Sequence, residues 1–414
     1  MNYEQSLDYL NRLGNEVLTM KFGLDTIRRL LEGLGRPQET FQSVLIAGTN
    51  GKGSVARFLA SITNASGRRT GLYTSPHLIR LTERIKIDGR EVDSEIFASC
   101  FTQTVEAIER LHLETHPTFF EMVTATAFLV FERSGVELGV LEIGMGGRLD
   151  STNVVDPVLS VITPISLDHQ QYLGETLTEI AGEKAGIMRA GIPVLSAAQS
   201  EEVATALSRR AAELGSCFEM LDTSAVPRTA ASDGCYRFSD CGIDYVLNVC
   251  GAAQVDNALL AARAARELAG SGASLTPDQL ASGIASTTFQ GVIQRFGDQP
   301  VIIVDGGHNP SAARQLGRYL RRHTAAPRHL VFSIMRDKEI DRVLATWQPL
   351  CDRVFLTQVD SPRAAPLEDL VRICPSGIPV PEPSAAYSAA LPGAATVVVA
   401  GSFFLAGAIL AERE

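Results

Sequence analysis

The chain has 414 residues, a formal net charge of −10 and 45% hydrophobic residues, which suffices for two or three domains and a large buried core. That charge excludes a sequence-independent nucleic-acid binder, which needs a clustered basic face, so any phosphate binding must be local. Seven scattered cysteines without CxxC spacing fit reduced thiols in a cytoplasmic protein better than disulfides or zinc. No stretch near the N-terminus reads as a secretion signal. The apolar run 396–410 is too short for a membrane span and is split by Gly401-Ser402, so no membrane contact is expected.

Apolar runs of strand length alternate with helix-period segments, the pattern of a doubly wound parallel α/β sheet. Strand 42–48 leads into helix 53–65, and strand 69–74 follows. Helices 94–112 and 118–133 precede strand 137–143. Strand 158–165, helix 176–189, strand 193–198 and helix 201–214 complete the series. Residues 217–251 break the pattern as a hairpin excursion before the alanine-rich helix 254–269. The polar, turn-rich segment 291–300 then marks a boundary between a large ATPase-type domain, 1–295, and a smaller Rossmann-like α/β domain, 296–414. The latter is built on strands 301–305, 329–335, 353–358 and 396–400.

The most informative motif joins the first strand to its helix: Gly48-Thr49-Asn50-Gly51-Lys52-Gly53-Ser54. Glycines let successive amides face one point, Lys52 adds a cation, and Ser54 offers a hydroxyl for Mg²⁺, which is a cradle for a nucleotide triphosphate. The generic phosphate-loop pattern fails at two positions, with Ile46 in place of glycine and Gly53 directly after the lysine. Lysine occurs only at positions 21, 52, 86, 184 and 338, so a lysine inside a motif is seldom surface filler.

Other polar residues gather at strand ends, where ligands bind in open α/β sheets. Glu142 precedes Gly144, Gly146 and Gly147 and can hold Mg²⁺ or cap a loop. Asp168-His169 ends the next strand, where a neutral imidazole suits a metal. On spacing alone Glu183-Lys184 reads as a solvated helix face. Thr74-Ser75-Pro76-His77 opens a long connection of the kind that forms binding loops or lids. Asp305-Gly306-Gly307-His308-Asn309 ends the first strand of the small domain, which suggests a site built across a cleft.

Taken together these residues resemble the folylpolyglutamate synthase/dihydrofolate synthase family within the Mur ligase superfamily. The resemblance runs through Tyr9 to Gly14, Phe22 to Leu24, Gly48 to Ser54, Ser75-Pro76-His77 and Glu142 to Arg148. It continues through Leu167 to His169, Glu183 to Gly186, Asp305 to Asn309, Asp337-Lys338 and Gly401-Ser402. It implies ATP-dependent joining of L-glutamate to a carboxylate of dihydropteroate or tetrahydrofolate through an acyl phosphate, by a monomer using two Mg²⁺ ions. By the same resemblance Gly48 to Ser54, Asn257 and Asp305 hold nucleotide, and Ser54, Ser75, Glu142, His169 and a carbamylated Lys184 hold metal. Ser75, Pro76, His77 and Arg84 would meet the pterin substrate, while Lys52, His169, Lys184, Asp305 and His308 serve the chemistry. Carbamylation suits the site because it turns a cation that repels Mg²⁺ into an anionic oxygen donor.

One departure stands out. The family usually carries an arginine just before the small domain that reaches the ATP phosphates, and this chain has Val292 at the matching position. Either Arg295 supplies that charge from a shifted register, or ATP handling is weakened, as in a nucleotide-binding paralogue. Arg295 reaches the site if residues 292–295 form a turn and lies about 10 Å further along if they form a strand.

Overall fold

The computed structural model describes residues 1–14, 16, 23–270 and 275–413. Lys21 and Phe22 lie outside them. The chain forms two compact units, one of residues 1–76, 81–225 and 257–284, the other of 77–80, 226–256 and 285–414.

The first unit is built on an eight-stranded sheet. Its strands lie in the order Arg90–Glu91, Ile85–Ile87, Thr70–Tyr73, Leu138–Glu142, Gln42–Ala47, Pro157–Ile162, Val194–Ser196 and Phe218–Met220. Pairing is parallel except at the first two strands, which are antiparallel. Gln42–Ala47 is buried along its length apart from Gln42, because helices cover both faces of a central parallel strand and a continuous Val-Leu-Ile run is then favourable. Helix Phe119–Arg133 begins at a capping box in which Thr118 and Glu121 satisfy each other's amides, and it is buried over most of its circumference. Helices Tyr3–Arg12 and Asp25–Gly33, absent from the sequence expectations, add Leu10, Ile27, Leu30 and Leu31 to the same core.

The strand expected at 158–165 stops at Ile162. Pro164 has no amide to extend a ladder, and its carbonyl instead accepts the amides of Thr49 and Asn50 at 3.0 and 3.3 Å. The helix expected at 176–189 likewise ends at Ala185, with Gly186 as its cap.

The second unit holds a six-stranded sheet in the order Gln294–Phe296, Val301–Asp305, Thr396–Ala400, Arg328–Phe332, Arg353–Leu356 and Ile378–Pro379. Only the first strand is antiparallel. The expected hairpin excursion is a three-stranded sheet, Arg228–Ala230, Cys235–Asp240 and Ile243–Cys250. The apolar run near the C-terminus is strand Thr396–Ala400 followed by helix Phe403–Ala411. Among the described residues no helix is long and apolar enough to cross a membrane.

Candidate active site

In the first unit the loop 48–54 turns from strand Gln42–Ala47 into helix Lys52–Ala65. Gly48 and Gly51 both have positive φ, +146° and +87°, a backbone that side chains disfavour. Both are also close-packed: a Cβ on Gly48 would strike the Thr163 hydroxyl, and one on Gly51 would lie 2.7 Å from Asn257 Oδ1. Asn257, 7% exposed on helix Ala253–Ala269, is thus brought to the loop. Gly51 caps the helix without a side-chain acceptor, so the first turn presents its amides and the positive end of the helix dipole to a ligand. Lys52 Nζ donates to Thr49 O at 3.4 Å. Thr49 Oγ1 donates to Ser166 O at 3.0 Å, and Asn50 Nδ2 donates to Ser166 Oγ at 3.3 Å, so the loop is tied to the segment after strand Pro157–Ile162. Ser54 is buried in the first turn.

Glu142, 5% exposed at the end of strand Leu138–Glu142, sits over Gly53, where a Cβ would be 3.2 Å from its Oε2. Its carboxylate accepts the Ser75 amide at 3.2 Å. Burial pushes the Glu142 carboxyl up, and Lys52, Arg57 and the amides of Ser75 and Gly53 oppose that shift. Arg57 is absent from the sequence expectations. One helical turn beyond Gly53, it donates to Gly53 O at 3.3 Å; burial lowers its pKa while Glu142 and Glu83 act to raise it. The available signal was a charge in the otherwise apolar Val55-Ala56-Arg57-Phe58-Leu59 run, since buried cations need a partner.

Lys184 is not on a solvated face. It is 4% exposed and its Nζ donates to Gly48 O at 2.7 Å. Burial and then the Lys52 charge push its pKa down to about 7, against the pull of Asp168 and Asp150. The glycine-rich loop after Glu142 holds this lysine's helix by close backbone contact. A Cβ on Gly147 would meet Glu183 O at 2.7 Å and Lys184 Cα at 3.0 Å. Arg148 N–H donates to Glu183 O at 2.9 Å, and Asn153 Nδ2 donates to Arg148 O and Gly186 O, both at 3.1 Å. Asp150 orders the same loop by accepting the Met145 and Thr152 amides at 2.8 and 3.0 Å. His169 caps the short helix Gln170–Leu173 in a left-handed conformation, φ +50°, and its amide donates to Asp168 Oδ1 at 2.9 Å.

Three of the residues expected to meet the pterin are consecutive in the chain. Ser75 stands beside Glu142 and Pro76 is exposed, while His77 belongs to the second unit. Arg84 is 2% exposed and makes a two-pronged ion pair with Glu16 at 2.9 and 2.8 Å. Burial opposes its charge and Glu16 more than offsets that, holding its pKa above the ordinary value. The structure therefore places Arg84 in an internal ion pair, with its guanidinium 5.4 Å over the Phe119 ring.

In the second unit Asp305 ends strand Val301–Asp305. It is 6% exposed and accepts the amides of Ile293 and Gly307 at 2.9 and 2.8 Å. Burial pushes its carboxyl up against those two bonds. His308 Nδ1 lies 3.0 Å from Gly306 O, and Asn309 caps helix Pro310–His323. Arg295 corrects the expectation of a shifted register. It lies in strand Gln294–Phe296, opposite Ile303. That strand is antiparallel to its neighbour, so three residues beyond Val292 the chain has run away from the Asp305 end. The Arg295 guanidinium donates to His323 O at 3.2 Å, at the C-terminus of helix Pro310–His323.

A phosphate cradle with a buried carboxylate and lysine, followed by a second parallel-sheet unit, defines a class. The Mur ligase middle domain matches residues 46–265, and the Mur ligase, glutamate ligase domain matches residues 291–403. The dihydrofolate synthase/folylpolyglutamate synthase of Bacillus subtilis is 33% identical over 362 residues, 85% of this chain and 84% of that protein. The folylpolyglutamate synthase of Mycobacterium tuberculosis, solved with ADP and AMPPCP, superposes with a TM-score of 0.91 at 31% identity and covers 99% of both chains. A bifunctional folylpolyglutamate synthase/dihydrofolate synthase solved with Mn, AMPPNP and L-glutamate gives a TM-score of 0.86 at 29% identity, over 100% of this chain and 98% of that one. The chain belongs to the folylpolyglutamate synthase/dihydrofolate synthase family of Mur ligases.

Proposed function

We propose that this protein is an ATP-dependent ligase that joins L-glutamate to the carboxylate of dihydropteroate, of tetrahydrofolate, or of both, by way of an acyl phosphate. The observation that carries this reading is the meeting of Lys52, Glu142 and Lys184 around loop 48–54. Phosphoryl transfer asks for charge neutralisation and positioning more than for a side-chain nucleophile, and these groups supply both. Lys52 and the amides of the helix start bind the phosphates, with Asn257 packed beneath Gly51. ADP, AMPPCP, AMPPNP, Mn and L-glutamate bound to the related structures support the same assignment.

The donor set suits Mg²⁺, which prefers one or two carboxylates together with phosphate oxygens and water. Among the described residues no three His, Cys, Asp or Glu side chains converge; phosphate oxygens and water would supply the remaining ligands. Glu142, Ser54, Ser75, His169 and a carbamylated Lys184 would hold two such ions. When bound, they neutralise charge on the transferring phosphoryl group. Lys184 is suited to carbamylation because a pKa near 7 leaves much of the amine neutral and nucleophilic toward CO₂. The product is a carbamate and a released proton, and the remaining N–H can keep its bond to Gly48 O.

Residues 1–295 would then carry the nucleotide and 296–414 the glutamate-ligase domain; from the latter Asp305 orders the preceding loop 291–293, and His308 stands at the strand end. We place the reaction in the cytoplasm and take the working form to be a monomer. The test is ADP release measured with dihydropteroate and with tetrahydrofolate, each with and without L-glutamate. Turnover that requires both the pteroate and glutamate is expected. ADP release independent of glutamate, or seen only with uridine-diphosphate-linked acids, overturns the assignment.

A further inference from the structure

Cys235 opens strand Cys235–Asp240 and Cys250 closes strand Ile243–Cys250, and the two are direct partners across the antiparallel ladder. The adjoining pair carries the hydrogen bond, from Gly251 N–H to Gly234 O at 3.1 Å, so the cysteines form a non-hydrogen-bonded pair. Such pairs hold their Cα atoms about 4.5 Å apart, within the span of roughly 4.4–6.8 Å that a disulfide bridges. The two Sγ atoms lie 3.6 Å apart, and Cys250 Sγ is also 3.4 Å from Asp233 O. Cys250 is buried and Cys235 half-buried, whereas Cys217 and Cys241 are exposed.

We propose that Cys235 and Cys250 are a modification site: a dithiol that a low-molecular-weight disulfide, such as oxidised glutathione, converts to a cross-strand disulfide. Reduced thiols are the ordinary state of a cytoplasmic protein, and the register keeps this pair one exchange away from the oxidised form. One thiol of the pair, ionised, attacks one sulfur of oxidised glutathione and expels one glutathione thiolate. The other then gives up its proton and attacks the protein sulfur of the mixed disulfide, expelling the second glutathione. Two protein thiols are oxidised, one small disulfide is reduced to two thiols, and the two protons end on glutathione.

The full chain is incubated with oxidised glutathione, alkylated under denaturing conditions and mapped by peptide mass. Wild type should lose two of its seven thiols and two hydrogens in mass, with peptides 235 and 250 linked and dithiothreitol restoring both. Doubly substituted Cys217→Ser, Cys241→Ser protein should form the same link. Cys250→Ser should stop at a glutathione adduct on Cys235. Recovery of Cys235 and Cys250 as alkylated thiols, while Cys217 or Cys241 carries glutathione, overturns the proposal. The wild-type map decides this whether or not the serine variants fold.

Discussion

Each unit ends a parallel strand in a buried carboxylate followed by glycines, and the two carboxylates are used differently. Glu142 faces Lys52 and Arg57 as well as the amides of Ser75 and Gly53, so it sits in a field of mobile and fixed positive charge. Asp305 meets, among the described residues, the amides of Ile293 and Gly307, both of its oxygens engaged by backbone. The same strand-end pattern thus yields an electrostatic centre in one unit and a loop anchor in the other. Sequence spacing does not separate these two uses, because what differs is which distant segment folds over the carboxylate.

The sharpest way to break the comparison is to remove the charge at the first edge. Lys52→Ala should lower kcat by about 10²–10³-fold, the usual cost of losing a contact to charge that develops in the transition state, with the thermal unfolding midpoint unchanged. Wild-type turnover at saturating ATP in this variant would take the lysine out of the mechanism.

Lys184 comes next. Lys184→Arg keeps a cation but cannot carry a carbamate, so kcat should fall roughly 10²-fold, and mass spectrometry of the gently handled wild type should find CO₂ on residue 184. Full activity in the arginine variant would refute the modification. For the CO₂-free protein, in which Lys184 is the unmodified amine, the pH dependence has a defined sign. The folded value of about 7 lies below the ordinary 10.5, so the unfolded chain binds the proton more tightly between those limits. The burial cost is fully present below about pH 7, and stability rises with pH from there towards 10.5. Lys184→Met should flatten that rise in urea unfolding compared at pH 7 and pH 9, and an unchanged slope would assign it elsewhere.

The phosphate loop, the strand ends and the family were legible because they are local: glycines, a lysine and a strand–helix switch fall within a few residues. Lys184 illustrates what was not. Its spacing is that of a solvated helix face, and only its bond to Gly48, 136 residues away, makes it internal. Arg84 is a second case, since no local pattern names Glu16 as the partner of both prongs of its guanidinium. The clamp of Gly147 against Glu183 and Lys184 explains the glycine run, yet no local pattern names the backbone it approaches.

A third test sets the loop anchor against the charge centre. Asp305→Ala strands two backbone donors, and a buried unpaired donor costs about 1–3 kcal/mol. Stability should therefore fall by about 2 kcal/mol or more in urea unfolding, in contrast to Lys52→Ala. An unfolding midpoint equal to wild type would mean that Asp305 does not hold the loop 291–293, and that any loss of turnover reflects direct contact with a ligand.

The smallest effects belong to positions 292 and 295. Arg295 donates to His323 O at a helix C-terminus, where a cation complements the dipole by about 0.3–1 kcal/mol. Arg295→Ala should thus cost about 1 kcal/mol of stability and leave the KM for ATP unchanged, because the strand carries this side chain away from the Asp305 end. Val292 is half-buried in the bend between Gly291 and Ile293, next to the amide that Asp305 accepts. An arginine there regains the bidentate donors that valine lacks, and one charge-assisted bond to phosphate at the low end of its range, about 1.5 kcal/mol, corresponds to roughly a tenfold lower KM for ATP in Val292→Arg. If Arg295→Ala instead raises the KM strongly, the guanidinium leaves His323 when nucleotide binds and the strand register is not what sets its role. If Val292→Arg changes nothing while Arg295→Ala is also silent in ATP kinetics, ATP is held without any arginine from this segment, and the burden falls on Lys52 and the amides of the first unit alone.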